Sequence, residues 1–335
     1  MTEQLNSIVY FRAISILLIA FGHCLNLAHL FPDTLPRQLF SNFIVGATTL
    51  FVFISGYLFH HVFHPKFDYL KFLGGRLARI ALPYLVLSIP SVFILNRFDQ
   101  FGSEELAKLL HTLATGNLYW IYWYIPFICL TFCLAPLHQR FIGLSVRAQL
   151  AIIFALIAVS MLGHRPIHNL QPWQSVVYFA PVYLVGIFVS QHRHRLLAFM
   201  RGRELVLLAV FAGFVVLQTS LGQIKNSHKA FLDYQGLDLM FLNKLLLALA
   251  LFFVIERIEA APSRMVSLVA STSFAIFFIH PILIMILIKT KAFPVTGNAW
   301  LDLALAGSFI VITAMIIAVL VNRVFRDRSQ YLLGY

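Results

Sequence analysis

Apolar runs dominate the chain, and their lengths carry more information than their periodicity. Ten stretches hold the roughly 17–25 apolar residues that a helix needs to cross a bilayer. They cover about 8–30, 39–61, 76–95, 117–137, 148–164, 174–191, 204–220, 237–255, 266–288 and 300–322. In lipid a segment must satisfy its own backbone hydrogen bonds, so each run predicts a helix. The connections are brief and no internal repeat stands out. Residues 1–335 therefore read as a single polytopic domain, an all-α bundle of about ten transmembrane helices.

The polar interruptions inside these runs are the candidates for chemistry. The first run, Ile8–Leu30, carries Arg12 and His23. Eleven residues at about 100° each place both on one helix face, about 16 Å apart along the axis. An ionisable group at membrane depth is by default a functional candidate, although Arg12 can also snorkel to the interface. Arg76 and Arg79 open the third run one turn apart and share a face. Their guanidinium forks suit phosphate, and they equally suit a topological anchor. Ser55-Gly56 lets a ligand chain or a neighbouring helix approach the backbone closely. The fourth run opens with Tyr119, Trp120, Tyr122, Trp123 and Tyr124, either an interfacial aromatic belt or the wall of a pocket for a sugar. His280, before Pro281, is predicted to lie at the level of His23, roughly 20 Å from the same edge at 1.5 Å per residue. Asn26, one turn past His23, is the candidate to orient its ring. His60 and His64 lack a third ligand, so no metal site is expected. Lys244 is expected to snorkel outward, and Asp238 and Asp302 to stay solvated where their spans begin.

Composition supports the same class. Residues are 60% hydrophobic and 11% charged, with a mean hydropathy of +0.84, which excludes an ordinary soluble domain. Cys24, Cys129 and Cys133 lie in apolar runs without a CxxC spacing and read as small buried hydrophobes. The net charge of +12 reports orientation rather than nucleic acid. Fifteen Lys and Arg follow the even-numbered spans and the tail, against eight in the opposite loops. The positive-inside rule then places both termini in the cytoplasm. The first run is too long for a signal peptide and lacks a small-residue cleavage site.

With these features in place, a resemblance emerges. Arg12, ten intervening residues and His23 resemble the first-helix Arg/Lys-x10-His signature of the bacterial acyltransferase-3 family, the integral membrane O-acyltransferases. Ser55-Gly56-Tyr57 is similar to that family's FxxSGF motif, with Tyr in place of Phe, and Arg76-Leu-Ala-Arg79 to its RxxR motif. Trp123-Tyr124 and the run from Ser273 to His280 resemble weaker family patterns. The resemblance implies an acyltransferase of the bacterial inner membrane. It would move an acyl group, usually acetyl from acetyl-CoA, to a hydroxyl of a cell-surface polysaccharide (exopolysaccharide) or lipid-linked sugar.

On this reading His23 and Arg12 are the catalytic candidates, with His23 as general base or as an acylated relay. Arg12, Arg76, Arg79, Ser55 and Gly56 would bind the CoA donor. Trp123, Tyr124, His280 and Asn26 would line the acceptor site. The implied partners are membrane lipid, the carbohydrate acceptor and a separate polysaccharide-modification or export protein, without nucleic acid. The alternative is a transporter or flippase for a lipid-linked sugar or small anion. The absence of a repeat and of a carboxylate at mid-bilayer weighs against it.

Overall fold

All ten apolar runs become helix, but not all become a full-length span. The computed structural model describes residues 6–96, 103–224, 228–258, 260–293 and 295–335. In chain order the α-helices are α1 Asn6–His23, α2 Leu35–Ile44, α3 Thr48–Leu58, α4 Tyr69–Asn96, α5 Ser103–Thr115, α6 Tyr124–Cys133, α7 Ala135–Ile142 and α8 Val146–Gly163. They continue as α9 Pro172–Gln191, α10 Arg193–Met200, α11 Glu204–Ser220, α12 Leu239–Ile255, α13 Arg264–Ser271, α14 Ser273–Thr290, α15 Ala299–Phe325 and α16 Ser329–Leu332. A two-residue parallel pair, β1 Arg165–Pro166 and β2 His228–Lys229, ties the loop after α8 to the loop after α11.

Among the described residues, seven helices are long and apolar enough to cross a membrane. An eighth appears if α6 and α7, bent by 57° at Leu134, count as one span. Pro136 at the first turn of α7 fits this break, because it cannot continue the ladder of α6. The helices Glu204–Ser220 and Leu239–Ile255 are apolar but shorter. Of the about ten spans expected, seven or eight helices thus have spanning length, with two shorter apolar helices beside them. The chain is a multi-pass membrane protein. Helix starts are secured locally, by Ser145 on Ala148 N, Asp238 on Phe241 N, Ser263 on Val266 N and Asn298 on Trp300 N.

The centre of the bundle is set by α3 against α9. A Cβ on Gly56 would lie 2.0 Å from the Tyr183 carbonyl oxygen, and one on Gly186 would lie 2.1 Å from that of Phe53. Two backbones thus touch through reciprocal glycines, the small-residue contact that packs helices without a hydrophobic driving force. Gly56 is therefore placed in the helix contact, whereas its neighbour Ser55 lines a cavity. Around this contact Phe11, Phe53, Phe252, Tyr57 and Phe59 form a continuous aromatic interior.

Three polar residues depart from expectation. Lys244 is buried rather than snorkelled, and its Nζ donates to the carbonyls of Asn42 and Phe43 at 2.6 Å each. Asp238 and Asp302 are buried rather than solvated. Asp238 accepts from Tyr178 Oη at 2.9 Å, and Asp302 from Thr296 N and Oγ1 at 2.9 and 2.7 Å. Lys244 and Asp238 settle against partners from distant segments that no local pattern reveals, and Asp302 against the turn just before its helix. Of the cysteines, Cys24 is buried but Cys133 is exposed.

Replacing Gly56 with Ala overpacks the contact, at a cost of about 1–3 kcal/mol. A fall of about 5 °C in the thermal midpoint of the detergent-solubilised protein is expected. Gly213→Ala, where nothing lies within 4 Å of the added carbon, should leave the midpoint unchanged.

Candidate active site

Two cavities are built at opposite ends of α1, because that helix runs unbroken from Arg12 to His23. Its rise separates them by about 16 Å.

The first cavity, of about 190 Å³, gathers Arg12 from α1, Ser55 from α3, Arg76 and Arg79 from α4, Tyr124 from α6 and Tyr183 from α9. The carbon at the centre of the Arg76 guanidinium sits 4.4 Å from the Phe63 ring centroid. Arg12 Nη2 donates to Ser273 Oγ at 2.9 Å. An adjoining vestibule of about 270 Å³ shares Arg76 and Arg79 and adds Lys66 and Lys71. Its one carboxylate, Asp68, pairs with Lys71 at 3.5 Å. Among the described residues, no carboxylate lines the arginine cavity itself. Three guanidinium groups sharing a confined space without a counter-charge repel one another, and an anion relieves that repulsion. The expected convergence of Arg12, Arg76, Arg79 and Ser55 is present in the fold.

The second cavity is larger, about 840 Å³, and holds His23, Trp120, Trp123, Arg165, His168, Asn169 and His228 among its walls. Its aromatic wall depends on Gly116, whose φ is 73°. A Cβ there would lie 2.5 Å from the backbone of Tyr122 and Trp123, so only glycine lets the turn at 117–123 fold back. Trp123 stacks on Phe179 with centroids 5.8 Å apart, and Trp120 Nε1 donates to His23 Nδ1 at 3.0 Å.

These bonds fix the imidazole tautomers. An indole N–H only donates, so His23 Nδ1 accepts and neutral His23 carries its hydrogen on Nε2. His280 Nδ1 lies 2.8 Å from the Ile276 carbonyl, which only accepts, so its Nε2 is the bare nitrogen. That Nε2 is buried and has no partner. The two rings are 5.5 Å apart between centroids. Neutral His23 thus carries its donor at Nε2 and His280 a bare acceptor at Nε2, while the Nδ1 lone pair of His23 accepts from Trp120 on the cavity wall.

Between the cavities lies a pinch with a volume of only about 10 Å³, walled by Thr48, Phe51, Tyr124, Ser273, Phe274 and Phe277. It shares Thr48 with the histidine cavity and Phe51, Tyr124 and Phe274 with the arginine cavity. Such a space holds about one water at most.

The sequence-predicted residues are therefore sorted as follows. Trp123 lines the histidine cavity, whereas Tyr124, next in sequence, turns to the pinch and the arginine cavity. His280 shares the level of His23 as expected, but it is fully buried behind the ring and lines neither cavity. Asn26 is exposed, because α1 ends at His23 and the following turns carry it away. His60 and His64 stack on each other and bond Ser190 and Gln139, respectively. Sequence reasoning missed Trp120 as the partner of His23, Ser273 as the partner of Arg12, and Arg165. Trp120 was visible only as one of five crowded aromatics.

Trp120→Phe keeps an aromatic ring and removes the N–H. Nitrogen-15 NMR of labelled histidines should show one Nε2–H tautomer for His23 in the wild-type protein and a tautomer mixture in the variant. His280 should stay Nδ1–H in both.

In comparison with known families, residues 5–323 match an acyltransferase domain, acyltransferase-3. No curated protein and no solved structure gives a significant match.

Proposed function

The chain belongs to the acyltransferase-3 family, and from that premise we propose that it is an O-acetyltransferase using acetyl-CoA and a carbohydrate acceptor. The observation that carries this reading is the pairing of two unlike cavities on one helix. A confined cluster of three arginines without a carboxylate sits at one end, and a roomy, aromatic-walled cavity with His23 at the other.

Arg12, Arg76 and Arg79 hold the CoA phosphates, with Lys66 and Lys71 at the vestibule for the remaining phosphate charge. The excess of basic residues in the loops that include Lys66 and Lys71 supports a cytoplasmic position for this end. The membrane is the inner, cytoplasmic membrane. The pantetheine arm passes Ser55 and the pinch, and about 16 Å of helix rise is a fitting length for it. The acceptor, a polysaccharide or lipid-linked sugar, approaches from the other face and rests on Trp123. Its hydroxyl takes the place of the Trp120 N–H at His23 Nδ1. Trp120 is 47% exposed and sits outside any helix, so it is free to leave.

His23 then takes the hydroxyl proton as general base. The oxygen attacks the thioester carbonyl, a C–O bond forms and the C–S bond breaks. The proton passes from His23 to the departing thiolate, giving CoA as the free thiol. His280 positions the ring by accepting from Nε2–H, the role first sought in Asn26. The acceptor can be presented by a separate export or modification protein.

The test is acyl transfer by the purified protein from radiolabelled acetyl-CoA to candidate glycans. His23→Ala should lower transfer by about 10²–10⁴-fold, and an unaltered rate would remove the catalytic assignment. Arg76→Ala and Arg79→Ala should each weaken acetyl-CoA binding about tenfold, the equivalent of one charge-assisted hydrogen bond. Unchanged affinity would reduce those residues to topological anchors.

A further inference from the structure

Among the described residues, Arg165 is the one permanently charged side chain on the wall of the histidine cavity, and the transfer chemistry makes no use of it. It is 4% exposed. Its guanidinium carbon lies over the rings of Trp123, Phe179 and Tyr178, at 5.2, 5.0 and 5.7 Å from their centroids. Those faces stabilise the cation from above without touching the in-plane donors. Nε and Nη2 are buried and have no hydrogen-bond partner. Together they form the side-on edge of the fork, two parallel N–H groups that match the two oxygens of a carboxylate or phosphate.

The protein supplies no such oxyanion. Asp238 is the nearby acid, but it accepts from Tyr178 Oη at 2.9 Å and Phe241 N at 3.2 Å. Among the described residues it forms no ion pair with Arg165, and no carboxylate lines the cavity. Burial lowers the pKa of Arg165, with Asp238 and Tyr178 opposing the shift, yet a guanidinium does not give up its proton in a protein. The cost of the buried charge therefore stands until an anion arrives. The β1–β2 pairing holds Arg165 in place through its backbone. Asn169, on the same wall, presents a buried Oδ1 without a partner, suited to a sugar hydroxyl.

We propose that the histidine cavity contains an oxyanion subsite at Arg165, selecting an acceptor glycan that carries a carboxylate or a phosphate group. The anion docks bidentately on Nε and Nη2, the sugar rests on Trp123, and a hydroxyl is presented to His23. This rests on the acceptor side of the proposed function and is independent of the donor side.

The experiment measures binding of three probes to the purified full chain by calorimetry. They are an oligosaccharide containing a uronic acid, a neutral oligosaccharide of the same length, and a short prenyl diphosphate. The wild-type protein should bind at least one anionic probe about tenfold or more tightly than the neutral one, and which anion wins identifies carboxylate or phosphate as the natural group. Arg165→Gln should abolish that preference, and Arg165→Lys should keep part of it. Acetyl-CoA affinity should stay within about twofold in both variants. Equal binding of all three probes to the wild-type protein would overturn the subsite, as would an anion preference that survives in Arg165→Gln. Should the variants fail to fold, the wild-type preference must weaken as salt is raised, and a salt-independent preference would also overturn it. Loss of acetyl-CoA binding in the wild-type protein would instead strike the donor reading and leave the subsite standing.

Discussion

A cation in a low-dielectric bundle must find a counter-charge, a carbonyl or a ligand, and that demand orders the whole molecule. Lys244 meets it with two backbone carbonyls, and Arg193 with Glu256. Arg12, Arg76, Arg79 and Arg165 have no carboxylate partner among the described residues. The first three share one confined cavity, and the fourth borders the other. On the proposed function, the charges that the protein does not neutralise mark where it would receive anions, and they fall at both ends of the same helix.

The close contact of α3 with α9, where Gly56 and Gly186 let two backbones touch, lies beside the arginine cavity, which Ser55 and Tyr183 line. The pinch is walled instead by residues of α3, α6 and α14. Ser55 and Gly56 are adjacent yet divide the labour, one lining the arginine cavity and the other making the contact. Trp123 and Tyr124 divide in the same way, facing opposite sides of the pinch.

What the sequence revealed were features fixed by helix geometry. The Arg12–His23 separation and the shared face of Arg76 and Arg79 follow from a constant rise and twist, and both survive in the fold. The shared level of His23 and His280 followed too. What stayed hidden depends on where chain segments return in space. Trp120 reaches His23 from a non-helical turn, Arg165 is fixed by a two-residue strand pair, and Asp238 finds Tyr178 across sixty positions. Asn26 failed for the opposite reason: helical spacing was extended past the residue where the helix ends.

The pinch has an electrical consequence. On the proposed function, with the two cavities opening on opposite faces, water and ions would fill much of the membrane's thickness from each side. The transmembrane voltage would then fall mainly across the thin septum of Thr48, Phe51, Tyr124, Ser273, Phe274 and Phe277. A charge carried through it would do about 2.3 kcal/mol of work per 100 mV. On the proposed function the acyl thioester, being neutral, would cross free of that work, while the phosphates that bring it would stay on the near side. The septum would then act as a capacitor plate gap, passing an acyl group while holding the field.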